Sequence, residues 1–168
     1  METNIQNTMA AEYKTEDNLD KEISVALERA EVYHREEITF RDFLQNKVLI
    51  MLVIRAGVPY SLFEKVRLFA PFSENEWAEF LDLSTKSLQR YKQADKAFGP
   101  LQSEKIIEMA EVTHAGLEVF DDMDKFRLWL ETPNYALGNH KPAELLKNSY
   151  GKELVLGELT RIEYGIFA

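Results

Sequence analysis

Cysteine is absent from this sequence. Its absence excludes disulfide bonds, thiol chemistry and cysteine-based zinc sites, and it is typical of proteins from the reducing cytoplasm. Glycine and proline are scarce, with seven and five residues respectively, which disfavours an all-β fold that needs many tight turns. The longest apolar run, Val48–Ile54, is much too short to cross a bilayer. No basic segment followed by an apolar run opens the chain, so we expect no signal peptide and a cytoplasmic location.

Basic residues are also in the minority. Lysine and arginine total 20 against 29 acids, which gives a net charge of −9. This balance argues against a nucleic-acid-binding protein, whose usual electrostatic footprint is a basic patch. The charge is uneven, however: residues 1–40 carry ten acids and four bases, whereas residues 84–98 carry four bases and one acid. The positive charge is therefore concentrated in one short segment.

What is abundant favours helix, because leucine, glutamate, alanine and lysine are all frequent. No convincing alternation of a β-strand occurs, and we predict an all-α fold. Residues 1–18 are polar and unpatterned, which is typical of disorder. The spacing of Ile23, Ala26, Leu27 and Ala30 predicts an amphipathic helix from Leu19 to Tyr33.

Three segments have the form of helix N-caps. Thr39 is expected to open a helix that continues through Ile54, Ser61 to open the next one, and Ser73 a third. Gly99-Pro100 is the sharpest break in the chain. We therefore predict an acidic, partly disordered extension at residues 1–38, a first helical domain at 39–99 and a second at 100–168.

Residues 74–93 fit the spacing of a helix-turn-helix unit. Ala78 is the small residue that lets two helices approach closely, and Asp82 stands where the tight turn commonly uses glycine. In this geometry the second helix enters the major groove, and polar or basic side chains on it contact DNA. The candidates are Thr85, Lys86, Ser87, Gln89, Arg90 and Lys92. The alternative interpretation is that Ser84–Lys92 is simply a polar surface helix of a bundle.

The C-terminal third carries the most specific pattern. It contains Trp129-Leu130, then Pro133-Asn134 and Ala136-Leu137-Gly138, and it ends Arg161-Ile162-Glu163-Tyr164-Gly165-Ile166-Phe167-Ala168. Together with the helix-turn-helix spacing, this pattern resembles the antitoxins of the Xre/MbcA/ParS family from about Phe40 to Ala168. The helix after Asp82 has fewer arginines than many relatives, and residues 1–38 lie outside the resemblance.

The resemblance implies a function. Such antitoxins pair with a toxin encoded beside them, commonly a RES-domain protein that consumes NAD. The C-terminal domain binds the toxin and blocks its active site, whereas the N-terminal domain assists homodimerisation and represses the shared operon by binding operator DNA. These proteins are not enzymes and need no cofactor.

Loop residues and the chain end are the candidates for toxin contact. Interfaces draw heavily on tyrosine, phenylalanine and arginine, and an apolar end of the chain must be covered by the chain itself or by a partner. We expect Ile166 and Phe167 to be buried by the toxin. The full set of candidates is Asn134, Tyr135, Asn139, His140, Lys141, Arg161, Glu163, Tyr164, Ile166 and Phe167.

No constellation for catalysis or metal binding is present in the sequence. The three histidines, His34, His114 and His140, lack metal-ligand spacing, and nothing places a nucleophile beside a base. Asp121-Asp122 is expected at a helix boundary, where acids complement the helix dipole. Two alternatives stay open: a toxin-neutralising module that has lost DNA binding, and a helix-turn-helix transcriptional regulator without a toxin partner.

Overall fold

The computed structural model describes residues 18–33 and 37–165. Helices account for the regular structure of these residues, which confirms the predicted all-α fold. The helices, numbered in chain order, are α1 (residues 18–29), α2 (Phe40–Gln45), α3 (Lys47–Ala56), α4 (Tyr60–Phe69), α5 (Glu74–Phe80), α6 (Thr85–Ala94), α7 (Pro100–Phe120), α8 (Met123–Glu131), α9 (Pro142–Leu145) and α10 (Ser149–Glu163), with a 3₁₀ turn at Tyr135–Leu137.

Two compact units share the chain. Unit 1 contains residues up to Phe69 together with Lys86–Ile107, and unit 2 contains Ala70–Thr85 together with Glu108 onward. Helix α7 thus contributes residues 100–107 to unit 1 and 108–120 to unit 2. Each unit draws on two stretches of the chain, and the linear division into domains at residues 38 and 99 stays a prediction.

Helix α1 is part of the core of unit 1. Leu19, Ile23 and Leu27 are completely buried, and the Asp20 carboxylate accepts a hydrogen bond from the backbone N–H of Phe40 at 2.6 Å. The predicted periodicity is confirmed, although the helix ends at residue 29 rather than at Tyr33. The segment predicted to be disordered lies, up to residue 17, outside the described residues.

Asn46 divides the helix that was predicted to continue from Thr39 to Ile54. Thr39 caps α2 as expected, its hydroxyl accepting the N–H of Asp42 at 3.1 Å. The Asn46 side chain then accepts the N–H groups of Val48 and Leu49. Asparagine offers the backbone a local partner that competes with helical hydrogen bonds, so a second helix starts here.

The capping box predicted at Ser61 is wrong, whereas the one at Ser73 is confirmed. Helix α4 already begins at Tyr60, so Ser61 lies inside it. At Ser73 the hydroxyl accepts the N–H of Glu76, and the Glu76 carboxylate accepts the N–H of Ser73 at 2.7 Å. Pro59 fixes the earlier start, because its carbonyl accepts the N–H of Phe63 at 3.2 Å.

An aromatic cluster and a buried serine close unit 1. The rings of Tyr91 and Phe98 are stacked with centroids 4.5 Å apart, and Phe63 meets Phe98 edge-on. Ser103, which is completely buried, accepts the N–H of Val58 at 2.9 Å and donates to the carbonyl of Phe98. These bonds hold the turn before α4 against the start of α7.

Unit 2 is built around α7, α8 and α10. Phe126, Leu130, Val155 and Leu159 are almost completely buried, and α9 packs against both α8 and α10. Glu108 on α7 is buried with 7% exposure although its side chain is acidic. Trp129 is half-buried and lies beside Phe120 and Phe126.

Candidate functional site

The predicted turn before α6 is present. Asp82 adopts a left-handed conformation with φ of +50°, as expected for a residue that replaces glycine. The N–H of Leu83 donates to the carbonyl of Ala78 at 2.9 Å, and α6 begins at Thr85. Short-range geometry therefore gives the tight turn between two helices that a helix-turn-helix requires.

Helix α6 exposes a polar stripe. Lys86, Gln89 and Arg90 are exposed, and Leu88 anchors the opposite side with 4% exposure. Gln93 is also exposed and follows Lys86 by seven residues, which places it on the same stripe. The sequence prediction omitted Gln93, although its spacing of seven residues from Lys86 could have placed it on this stripe.

The other three candidates on α6 are not free, exposed members of this stripe. Thr85 and Ser87 are half-buried. The ammonium group of Lys92 lies 3.3 Å from the carboxylate of Glu64, so its charge already has an acidic neighbour. Lys96, which was not a candidate, lies over the ring of Tyr91 at 5.5 Å. DNA contact by all six residues stays a prediction.

The segment from Asn134 to Lys141 is a well-defined loop. The Asn134 side chain accepts the N–H of Ala136 at 2.8 Å, and its own N–H donates to the carbonyl of His140 at 3.0 Å. Gly138 and Asn139 both adopt left-handed conformations, with φ of +68° and +61°, which glycine and asparagine tolerate best. Asn134 is thus the residue that shapes the loop, and Pro142 starts the next helix.

This loop presents its other candidates to solvent. Tyr135 is 85% exposed, and Asn139, His140 and Lys141 are exposed as well. Leu137 points the other way and is buried with 9% exposure. The 3₁₀ turn that contains Tyr135 packs against α10, so the loop and the last helix are neighbours within unit 2.

Helix α10 is held firmly on its inner side. Asn148 caps it by accepting the N–H of Gly151 at 2.9 Å, and Val155 and Leu159 are buried. The ammonium group of Lys152 contacts the Glu111 carboxylate at 2.6 Å, with the two side chains only 15% and 12% exposed. This ion pair joins α10 to α7.

The outer side of α10 carries exposed large side chains. Tyr150 and Leu154 are 83% and 58% exposed, and neither was among the sequence candidates, although their spacing of four residues was visible. Arg161 contacts Glu158 at 3.5 Å, Glu163 is exposed, and Tyr164 is 73% exposed. Ile166 and Phe167 lie outside the described residues, and their contact with a toxin stays a prediction.

Comparison with protein-family models gives two adjoining matches. Residues 50–111 match the antitoxin Xre-like helix-turn-helix domain, and residues 115–165 match the antitoxin Xre/MbcA/ParS C-terminal toxin-binding domain. The chain belongs to the Xre/MbcA/ParS antitoxins. Both models fall within the part of the chain that carried the resemblance in sequence, which is thereby confirmed.

Individual relatives agree with this membership. The antitoxin Xre of Yersinia enterocolitica is 28% identical over 116 residues, which cover 68% of this chain and 78% of the relative. A chain in the crystal structure of the M. tuberculosis MbcT–MbcA toxin–antitoxin complex is 25% identical, with a TM-score of 0.54. That match covers 65% of this chain and 96% of the other.

Two further observations on this Xre/MbcA/ParS antitoxin concern metal binding and membrane spans. Within residues 18–33 and 37–165, no group of three His, Cys, Asp or Glu side chains is placed to bind a metal ion. None of the helices in these same ranges is long and apolar enough to cross a membrane. Among the described residues, the candidate sites are therefore two surfaces: the stripe on α6, and the loop together with the outer side of α10.

Proposed function

We propose that this protein neutralises a cognate toxin in the cytoplasm. It binds the toxin through the loop at Asn134–Lys141 and the outer side of α10, which we call the C-terminal surface. The toxin is a RES-domain protein that consumes NAD, and the antitoxin acts by blocking its active site, without catalysis or a cofactor of its own. The observation that carries the proposal is the surface of exposed aromatic and aliphatic side chains within residues 115–165, the region matched by a toxin-binding domain. The match to a chain from a toxin–antitoxin complex supports it.

The end of the chain supplies the block in this proposal. Helix α10 finishes at Glu163, and Tyr164 at its end is exposed, and residues 165–168 follow Tyr164 in the sequence. Ile166 and Phe167 are apolar, and burying each of them in a cleft would contribute about 1.5–3 kcal/mol. They would enter the pocket of the toxin that takes up NAD.

Deleting residues 165–168 should weaken toxin binding roughly 10-fold or more, because two apolar side chains lose their site. The melting temperature should change little, since α10 ends before the deletion. Calorimetric titration with the purified product of the adjacent gene measures the affinity, and Ile166→Leu is the matched control that should keep it. Wild-type affinity in the truncated protein would refute a blocking role for the chain end.

We further propose that the protein represses its own operon as a homodimer. Two copies of α6 would enter successive major grooves of a palindromic operator. Arg90 and Gln89 have the chemistry to read guanine and adenine, and Lys86 to meet a phosphate. Support comes from the turn at Asp82, the exposed stripe on α6 and the match of residues 50–111.

Arg90→Ala should reduce operator affinity roughly 10-fold to 100-fold if Arg90 reads a guanine. Lys86→Ala should reduce the slope of log affinity against log salt concentration by about one, the value for a single phosphate contact. Lys92→Ala should change this slope less, because Glu64 already neighbours Lys92. Mobility shift of the operon's promoter across a salt series measures both quantities, with Lys125→Ala on α8 as the exposed control. If the wild-type protein shifts no promoter DNA at low salt, it is a toxin-neutralising module that has lost DNA binding.

A helix-turn-helix regulator without a toxin partner is the alternative to the main proposal. It predicts operator binding by α6 with no binding of the adjacent gene's product. The exposed side chains of the C-terminal surface would then have no partner in that product.

A further inference from the structure

One side of α10, with the residue that follows the helix, carries a line of exposed or half-exposed positions. Tyr150, Leu154, Gly157, Arg161 and Tyr164 follow one another at intervals of four, three, four and three residues, and we call them the outer stripe. This spacing keeps them within an arc of about 80° on a regular helix, over a length of roughly 21 Å. Single exposed apolar residues are ordinary, but two exposed tyrosines and an exposed leucine along one line favour an interaction surface.

No packing contact of the described chain explains why position 157, inside α10, is a glycine. A glycine inside a helix destabilises it by roughly 0.5–1 kcal/mol relative to alanine. Gly116 and Gly151 have a packing reason, because a methyl group there would overlap the Phe126 ring or the Leu145 carbonyl. At Gly157 a methyl group would meet nothing within 4 Å, so no neighbour in the described chain requires the missing side chain.

We propose that the outer stripe is the toxin-docking face of this protein and that Gly157 is where the toxin approaches the helix most closely. This inference rests on the proposed function and names the surface that performs it. An apolar side chain of the toxin fills the space over Gly157, between Leu154 and Arg161, while Tyr150 and Tyr164 pack at the two ends. Tyrosine and arginine are the residues that most often dominate binding energy at such faces.

Three arguments favour the toxin as the occupant. The whole outer stripe lies within residues 115–165, the part matched by a toxin-binding domain. The stripe leads along the chain into Ile166 and Phe167, the residues proposed to enter the toxin. The loop with Tyr135, another predicted contact, belongs to a turn that packs against the same helix.

The sharpest test fills the space over Gly157. Gly157→Gln should weaken binding of the purified adjacent gene product roughly 30-fold or more, as expected at the centre of an interface. Thr160→Gln is the matched control: Thr160 is exposed on the same helix, to the side of the stripe, and the change there should cost less than about threefold. Both variants should melt at or above the wild-type temperature, because glutamine forms helix better than glycine or threonine.

The possible outcomes separate the inference from the function on which it rests. If the wild-type protein binds the toxin and Gly157→Gln binds equally well, the outer stripe is not the docking face, although neutralisation stands. If the wild-type protein does not bind the toxin, both are wrong. Light scattering adds one outcome: a fall from dimer to monomer in Gly157→Gln would assign the stripe to a second copy of this chain and overturn the proposal.

Discussion

Gly151→Ala is expected to lower the free energy of unfolding by about 3 kcal/mol, the upper part of the range for an overpacked core. Gly151 is buried in the first turn of α10, where its Cα lies against the end of α9. A methyl group at this position would overlap the carbonyl of Leu145. That neighbour is backbone, so it cannot rotate out of the way as a side chain could. Chemical denaturation of the full-length protein measures the change.

The same substitution elsewhere in α10 provides the control. Gly157→Ala should raise the free energy of unfolding by about 0.4–1 kcal/mol, because it restricts the unfolded chain and meets no obstacle in the folded one. The two variants differ only in position along one helix. Equal stability of Gly151→Ala and the wild-type protein would show that α9 and α10 do not pack as described.

Lys152→Ala is the second large effect, with an expected loss of about 2–4 kcal/mol. The Glu111 carboxylate, only 12% exposed, would lose its cation at 2.6 Å. A nearly buried charge without its partner is costly, and the residual exposure places the estimate somewhat below that for a fully buried pair. Thermal and chemical denaturation give the value.

A double substitution separates the lost ion pair from the lost packing. Lys152→Met together with Glu111→Leu removes both charges and keeps most of the apolar volume. Apolar residues of similar size often replace a buried ion pair without loss, so the double variant should recover most of the stability. A double variant as unstable as Lys152→Ala would contradict this account of the pair.

Local signals in the sequence were sufficient for much of the fold. The capping box at Ser73 and the N-cap at Asp122, whose side chain accepts the N–H of Lys125 at 2.8 Å, act through residues three positions apart. Such short-range chemistry is readable from sequence. His114 and Glu118, which are four residues apart on α7, also meet, at 3.9 Å.

Two features could not be decided from the local sequence. Asn46 can lie inside a helix or cap a new one, and only its hydrogen bonds to Val48 and Leu49 decide the matter. Glu108 follows the polar periodicity of α7, yet the helix has neighbours on that side and the residue is buried. The polar periodicity alone therefore misplaces such a residue.

The exposure of the candidate residues was predictable in outline, and their contact with a toxin stays a prediction. Family resemblance led to the loop at Asn134–Lys141 and to the chain end, and the structure shows Tyr135 and Tyr164 strongly exposed. Tyr150 and Leu154 were missed because exposed apolar residues look like core residues in a sequence. Lys92 looked like a free cation, because its neighbour Glu64 lies 28 positions earlier in the chain.

The most direct test of neutralisation is the cellular NAD concentration while the adjacent gene's product is expressed with and without this protein. The toxin alone should deplete NAD and arrest growth. Co-expression of the wild-type protein should restore both, and the protein lacking residues 165–168, present at the same level, should restore them less. NAD that falls equally with and without the wild-type protein would contradict the claim that this chain is an antitoxin for that partner.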